Sequence, residues 1–147
     1  MYSKDLPDIK ANILLVEDDE ADSFAVCSIL EHKYTVHRAV DSAEALRLLY
    51  LHAIDVIMLD INLGDKSLSG FQLIDYIRML GKFDKVKIIA MTGKSIENME
   101  ANASFIKFDS YLYKPITKAG IIKSIEEALL LRTGEPDENH EDIDRNP

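Results

Sequence analysis

The sequence predicts an α/β fold: a doubly wound, five-stranded parallel sheet with helices on both faces. Two observations carry this. Five short apolar runs, near residues 12–16, 34–39, 56–60, 86–91 and 110–113, alternate with stretches whose apolar residues recur at helical spacing. The connections between them are only a few residues long. Such alternation is the mark of a parallel sheet with crossover helices, and right-handed crossovers leave few ways to wind it. A chain of 147 residues suits one domain, long enough to bury most of its surface in a single core. The expected organisation is a leader over 1–10, one domain over 11–132 and an acidic tail over 133–147.

Asn12-Ile-Leu-Leu-Val16 is the first predicted strand and runs into Glu17-Asp18-Asp19-Glu20. The helix after it places Val26, Ile29 and Leu30 at helical spacing, and its acidic start suits the positive end of the helix dipole. From Tyr34 to Ala39, Val36 alternates with polar Thr35 and His37, which predicts a half-wet strand at an edge. Asp41 with Glu44 three residues on reads as a helix start of capping-box type. That helix turns Ala45, Leu46 and Leu49 inward and runs to about Tyr50.

The run Val56-Ile-Met-Leu59 fits a buried strand or a piece of buried helix, and its β-branched Val56 and Ile57 favour the strand. It ends on Asp60. An acid there is either an ordinary polar strand end or an ionisable group at the carboxyl edge of the sheet, where open α/β folds bind ligands. A loop over 61–69 leads to Gly70 and a helix with Leu73, Ile74, Ile77 and Leu80 on one face, closed by Gly81. Val86 to Met91 is the fourth strand and ends at Thr92-Gly93. Ser95 is placed to cap a fourth helix with Ile96, Met99, Ala103 and Ile106 in line, weakened by Asn98, Asn102 and Ser104. Ser110 to Tyr113 is a short fifth strand ending at Lys114-Pro115. Thr117 caps a fifth helix with Ile121, Ile125 and Leu129 aligned. Past Arg132 the only strongly apolar residue is Ile143. Disorder is expected there, because so little apolar surface cannot offset the entropy of ordering.

The formal charge of −9 argues against binding to nucleic-acid phosphates or anionic membranes. Six acids against Arg145 put −5 of that charge in the tail, so the domain itself is only mildly acidic. Cys27 is the only cysteine, which rules out an intramolecular disulfide and fits a reducing compartment. Its neighbours Ala25, Val26 and Ile29 predict a buried thiol acting as a small apolar residue. The N-terminus lacks the apolar stretch of a signal peptide, and no run approaches the roughly 20 apolar residues of a membrane span. A cytoplasmic location is expected.

Four strand ends carry polar groups: Glu17-Asp18, Asp60, Thr92 and Lys114. Parallel strands put all of these on one edge, with neighbouring strands roughly 4.8 Å apart. Singly, each has an ordinary explanation as a helix-favouring acid, a turn or a solvated lysine. Together they form a chemical set. Three gathered carboxylates repel one another and require a counter-charge, which a hard divalent cation such as Mg²⁺ supplies through oxygen ligands. A lysine adds a mobile positive charge and a threonine a neutral donor. These parts hold a phosphoryl group, whose transfer depends mainly on positioning and charge neutralisation. Asp60, the oxygen nucleophile at the centre, is of a type that forms an acyl phosphate.

With Ile13-Leu-Leu-Val-Glu-Asp-Asp19, Asp55-Val-Ile-Met-Leu-Asp-Ile-Asn-Leu63, Ile88-Ile-Ala-Met-Thr-Gly93 and Tyr111-Leu-Tyr-Lys-Pro115, the chain resembles the CheY-like receiver domain of two-component response regulators, over about Ala11 to Arg132. The resemblance implies a sheet order of 2-1-3-4-5 and a phosphorylation-driven switch. It implies that Asp60 accepts a phosphoryl group from a histidine of a sensor kinase or phosphotransfer protein. Asp18 and Asp60 would ligate Mg²⁺ (or Mn²⁺) with the main-chain carbonyl of Asn62, and Glu17 through a water. Thr92 and Lys114 would bind the phosphoryl oxygens, and Thr92 and Tyr111 would act as the switch pair. Asn62 and Lys94 occupy positions that tune the lifetime of the phosphate.

The sequence departs from the family after the acceptor. Gly64 stands where a proline is usual, and the matching glycine, Gly70, comes ten residues on, two more than usual. A stand-alone receiver is expected, because the tail is too short and too polar for an output domain; Met1 and the short leader disfavour a piece of a hybrid kinase. Its output would be binding to an unidentified downstream protein through the fourth helix, fifth strand and fifth helix, and a homodimer through the same helices is open. Two alternatives stand beside it. One is an Asp-nucleophile phosphatase, disfavoured because Asn62 cannot act as the acid needed two residues past the nucleophile. The other is an interaction-only receiver.

Overall fold

A computed structural model describes residues 9–63, 69–93 and 107–133 of the chain. Its elements are β1 (Asn12–Val16), α1 (Glu20–Leu30), β2 (Thr35–Ala39), α2 (Ser42–Leu51), β3 (Val56–Asp60), α3 (Gly70–Leu80), β4 (Lys87–Thr92), β5 (Ser110–Tyr113) and α4 (Lys118–Thr133). The strands form one parallel sheet in the order β2-β1-β3-β4-β5, as the resemblance implies. The helix expected over 95–106, position 94, and residues 64–68 and 134–147 lie outside the described residues. The expected leader and tail are therefore described only at residues 9–10 and at Thr133.

Successive strand residues face opposite sides of a sheet, and the core divides accordingly. Leu14, Val16, Ile57, Leu59, Ile88 and Ala90 meet Ala45, Leu48 and Leu49 of α2 and Leu73, Ile74 and Ile77 of α3. Ile13, Leu15, Val56, Met58, Ile89 and Met91 meet Val26, Cys27 and Leu30 of α1 and Ile121, Ile125 and Ala128 of α4. β3 is buried along its whole length, which is why its sequence shows no polar alternation. β2 lies at the edge and is exposed at Thr35 and Arg38, which face opposite sides, so the single wet face expected from its sequence is not what the structure shows. The Cys27 thiol is buried, and burial pushes its pKa up.

The helix ends follow local chemistry. Asp19 Oδ1 accepts from the Asp22 N–H at 2.9 Å to start α1. Asp41 Oδ1 accepts from the Glu44 N–H at 2.9 Å, while Glu44 reaches back to the N–H of Val40. Ser69 and Gln72 form a full capping box on α3. Gly81 closes that helix with φ of 77°, a conformation that costs a glycine little. β4 begins one residue later than its apolar pattern predicts, because Val86 is buried outside the ladder. Among the described residues, no helix is long and apolar enough to cross a membrane.

Candidate functional site

The carboxyl ends of β1, β3, β4 and β5 bring the predicted groups to one edge. Ile13 to Val16 pair with Val56 to Leu59, so Glu17 and Asp60 follow at matching positions on adjacent strands. Each donates one carboxylate oxygen to a cluster with Asp18 in which all three atoms lie within 4.8 Å of one another. Glu17 and Asp60 are buried, at 2% and 3% exposure, and Asp18 is exposed. The pocket therefore has two carboxylates in its floor and one at its lip.

The Lys114 ammonium reaches this floor from the end of β5, just before a cis Lys114–Pro115 peptide bond. It stands 3.4 Å from Glu17 Oε1, 3.5 Å from Asp60 Oδ2 and 3.5 Å from Asp22 Oδ2. Burial pulls its pKa down, but Asp60, Glu17 and Asp22 together hold it above the ordinary lysine value. Glu17 behaves oppositely. Burial first, then hydrogen bonding and repulsion from Asp60, raise its pKa from 4.5 to about 7, against the lowering pull of the Asp19 N–H and Lys114. The Asn62 N–H donates to Asp60 Oδ1 at 3.0 Å and fixes that carboxylate's rotation.

Thr92 is fully buried one residue past Met91, the β4 partner of Asp60. Its carbonyl accepts from the Lys114 N–H at 2.8 Å, which ties the ends of β4 and β5 together. Tyr111 pairs with Ala90 in β5 and packs its half-buried ring against the α2–α3 side of the core. The Phe108 ring is 5.7 Å away. Burial, with Tyr113 and Asp109 adding to it, pushes the Tyr111 phenol up to about 12.

Glu17, Asp18, Asp60, Asn62 and Lys114 thus stand together, with Thr92 at the end of the adjoining strand. Lys94 lies outside the described residues. The sequence reading missed Asp22. Its only signal is its place in the first turn of a helix that starts at this same edge. The donor set is carboxylate oxygen throughout, partly buried and short of positive charge, and this fits a hard divalent cation such as Mg²⁺ or Mn²⁺.

Residues 13–126 match the model of the response regulator receiver domain family. A probable cyclic di-GMP phosphodiesterase of Vibrio cholerae serotype O1 is 27% identical over 118 residues, which is 80% of this chain and 26% of that protein. Stress response regulator protein 1 of Debaryomyces hansenii is 34% identical over 99 residues, 65% of this chain and 40% of that one. The chain thus spans less than half the length of either relative. Among solved structures, the chemotaxis response regulator CheY4 of Vibrio cholerae superposes with a TM-score of 0.74 at 25% identity, covering 82% of this chain and all of that one. A CheY-like receiver domain protein from Methanospirillum hungatei gives 0.76 at 28% identity, covering 86% and 99%.

Proposed function

The chain belongs to the response regulator receiver domain family of two-component signalling, and from that premise we propose that it is a phosphorylation switch whose acceptor is Asp60. One observation carries the reading: the oxygens of Glu17, Asp18 and Asp60 converge within 4.8 Å while the Lys114 ammonium stands 3.5 Å from Asp60. Receiver domains bind Mg²⁺ at an acidic pocket of this kind. The bound ion neutralises the phosphoryl oxygens and the acceptor carboxylate at once.

The residues of the chain divide the remaining work. Asp60 supplies the carboxylate oxygen that bonds to phosphorus as the bond to the donor imidazole nitrogen breaks; that nitrogen keeps the bonding electron pair and takes a proton from solvent, and an acyl phosphate remains on Asp60. The Asn62 N–H holds the carboxylate in place, and the Asn62 main-chain carbonyl, with Asp18 and Asp60, would hold the ion directly. Glu17 would act on the ion through a water. Lys114 leaves its carboxylate partners for the new phosphoryl oxygens, and Thr92 donates a hydroxyl to them. Thr92 and Tyr111 relay the change to a protein-binding face, and position 94 together with Asn62 sets how fast water removes the phosphate.

The donor is a histidine kinase or a histidine phosphotransfer protein, the site of action is the cytoplasm, and the output is binding to another protein. The only reactions the chain catalyses are its own phosphorylation and dephosphorylation. Incubation with Mg²⁺ and a small acyl phosphodonor should add one phosphoryl group by intact mass. Chelation of the metal should prevent this, and so should Asp60→Asn. Modification that persists in Asp60→Asn would refute the assignment.

A further inference from the structure

Phe71, Asp75 and Arg78 fall four and three residues apart and so lie along one stripe of α3. Each meets one of three consecutive residues leading into β5. Phe71 sets its ring edge-on to Phe108, with centroids 6.0 Å apart. Asp75 takes the Lys107 ammonium at 2.7 Å. Arg78 donates to Asp109 at 3.0 Å and also to the Lys107 carbonyl at 3.5 Å. Asp109 in turn accepts from the Ile88 N–H at 2.8 Å, which pins this segment to β4. Phe108 is buried, and its ring also packs against that of Tyr111.

The N-terminus of α3, next to Phe71, rests on the acceptor strand. The Gly70 N–H donates to the Ile61 carbonyl at 3.0 Å. A Cβ on Gly70 would stand 2.5 Å from Ile61 Cα and 2.9 Å from the Asp60 carbonyl oxygen. Close-packed contacts of this kind transmit displacement instead of absorbing it. The helix that carries both sets of contacts, Gly70–Leu80, is 11 residues long and capped at both ends.

We propose that the Phe71–Asp75–Arg78 stripe of α3 couples the state of Asp60 to the orientation of Tyr111 by gripping residues 107–109. The proposal rests on the reading of Asp60 and Tyr111 given above, and it adds a route through α3 beside the one through Thr92. Ordinary packing would also put α3 against this segment. It would give Tyr111 no dependence on α3 when Asp60 changes, and that dependence decides the matter.

The test uses the full chain labelled with fluorotyrosine, with the Tyr111 resonance assigned by its loss in Tyr111→Phe. Wild type, Phe71→Leu and Asp75→Asn are compared before and after treatment with a small acyl phosphodonor and Mg²⁺, with phosphorylation followed by intact mass. The expected result is equal phosphoryl uptake in all three and a Tyr111 shift that falls by about half or more in both variants. An undiminished shift in both variants would overturn the proposal. Absence of phosphoryl uptake by the wild type would refute the function proposed for Asp60, and a double-mutant cycle then decides the coupling. Asp60→Asn should move the Tyr111 signal in the wild-type background and move it less in Phe71→Leu; equal movement in both overturns the coupling.

Discussion

Replacing Glu17 by Gln should make the metal-free protein more stable at pH 8 and remove much of its stabilisation by Mg²⁺. Glu17 has 2% of its surface exposed and shares the pocket with Asp60. The rise of its pKa from 4.5 to about 7 corresponds to a preference of the folded protein for the protonated form on the order of 3 kcal/mol. The sign follows from proton uptake. Between 4.5 and about 7 the folded state holds a proton on Glu17 that the unfolded chain has released, so stability falls as pH rises through this window and levels off above it. Gln keeps the shape and accepts the Asp19 N–H, but it does not titrate. Denaturation of both proteins between pH 4.5 and 8, without divalent ions, isolates the pocket, because titrating groups that do not face Glu17 cancel in the difference. Wild type should lose about 3 kcal/mol relative to Glu17→Gln across the window, and at pH 8 Mg²⁺ should return most of this to the wild type while stabilising Glu17→Gln much less. Parallel stability curves for the two proteins would refute the account of the pocket as an electrostatically strained site.

Other consequences can be measured directly. Gly70→Ala should cost about 3 kcal/mol in denaturant unfolding, because the new methyl meets the backbone at Ile61 and a main chain cannot rotate away; a loss below about 1 kcal/mol would mean that α3 does not rest on the acceptor strand as described. Asp22→Asn should speed phosphorylation by a small anionic donor about two- to threefold at low salt, the scale of a solvent-screened ion pair. It removes a competitor for Lys114, and a rate unchanged at low salt would count against that competition. Asp109→Ala should destabilise the domain by about 2 kcal/mol in thermal or chemical unfolding, since the Ile88 N–H and the Arg78 guanidinium both lose their carboxylate partner; a neutral substitution would show that water replaces it without loss.

The fold was legible because the parallel strands carry their burial in their composition. Val56–Leu59 and Ile88–Met91 are apolar without alternation because helices cover both faces, and β2 shows its edge position through Thr35, His37 and Arg38. The site was legible for a topological reason: once the strands are parallel, Glu17, Asp60, Thr92 and Lys114 must share one edge. What escaped the sequence depends on helix rotation. Asp22, Asp75 and Arg78 are charged residues at helical spacing, and such residues more often mark a solvated face. Only the coordinates show that they turn toward Lys114, Lys107 and Asp109. The partnership of Glu44 with the N–H of Val40 escaped similarly, because a capping pattern does not say which of two adjacent donors the side chain will choose.

The same burial explains why this edge is both the least comfortable part of the domain and its most useful one. Val16 and Leu59, which precede Glu17 and Asp60 in their strands, and Met91, the β4 partner of Asp60, are completely buried. They withhold the water that would screen Glu17 from Asp60, and Glu17 holds its proton more tightly as a result. A lysine with one carboxylate neighbour would form a closed pair and end the matter. Lys114 has three, at 3.4 to 3.5 Å, each too long for the best charge-assisted hydrogen bond. It is therefore shared, and it can turn to a stronger anion at little loss. On the function proposed above, a site left short of positive charge in this way would favour an added cation and an added phosphoryl group together more than either alone, which is the condition for a switch that stays off until both are present.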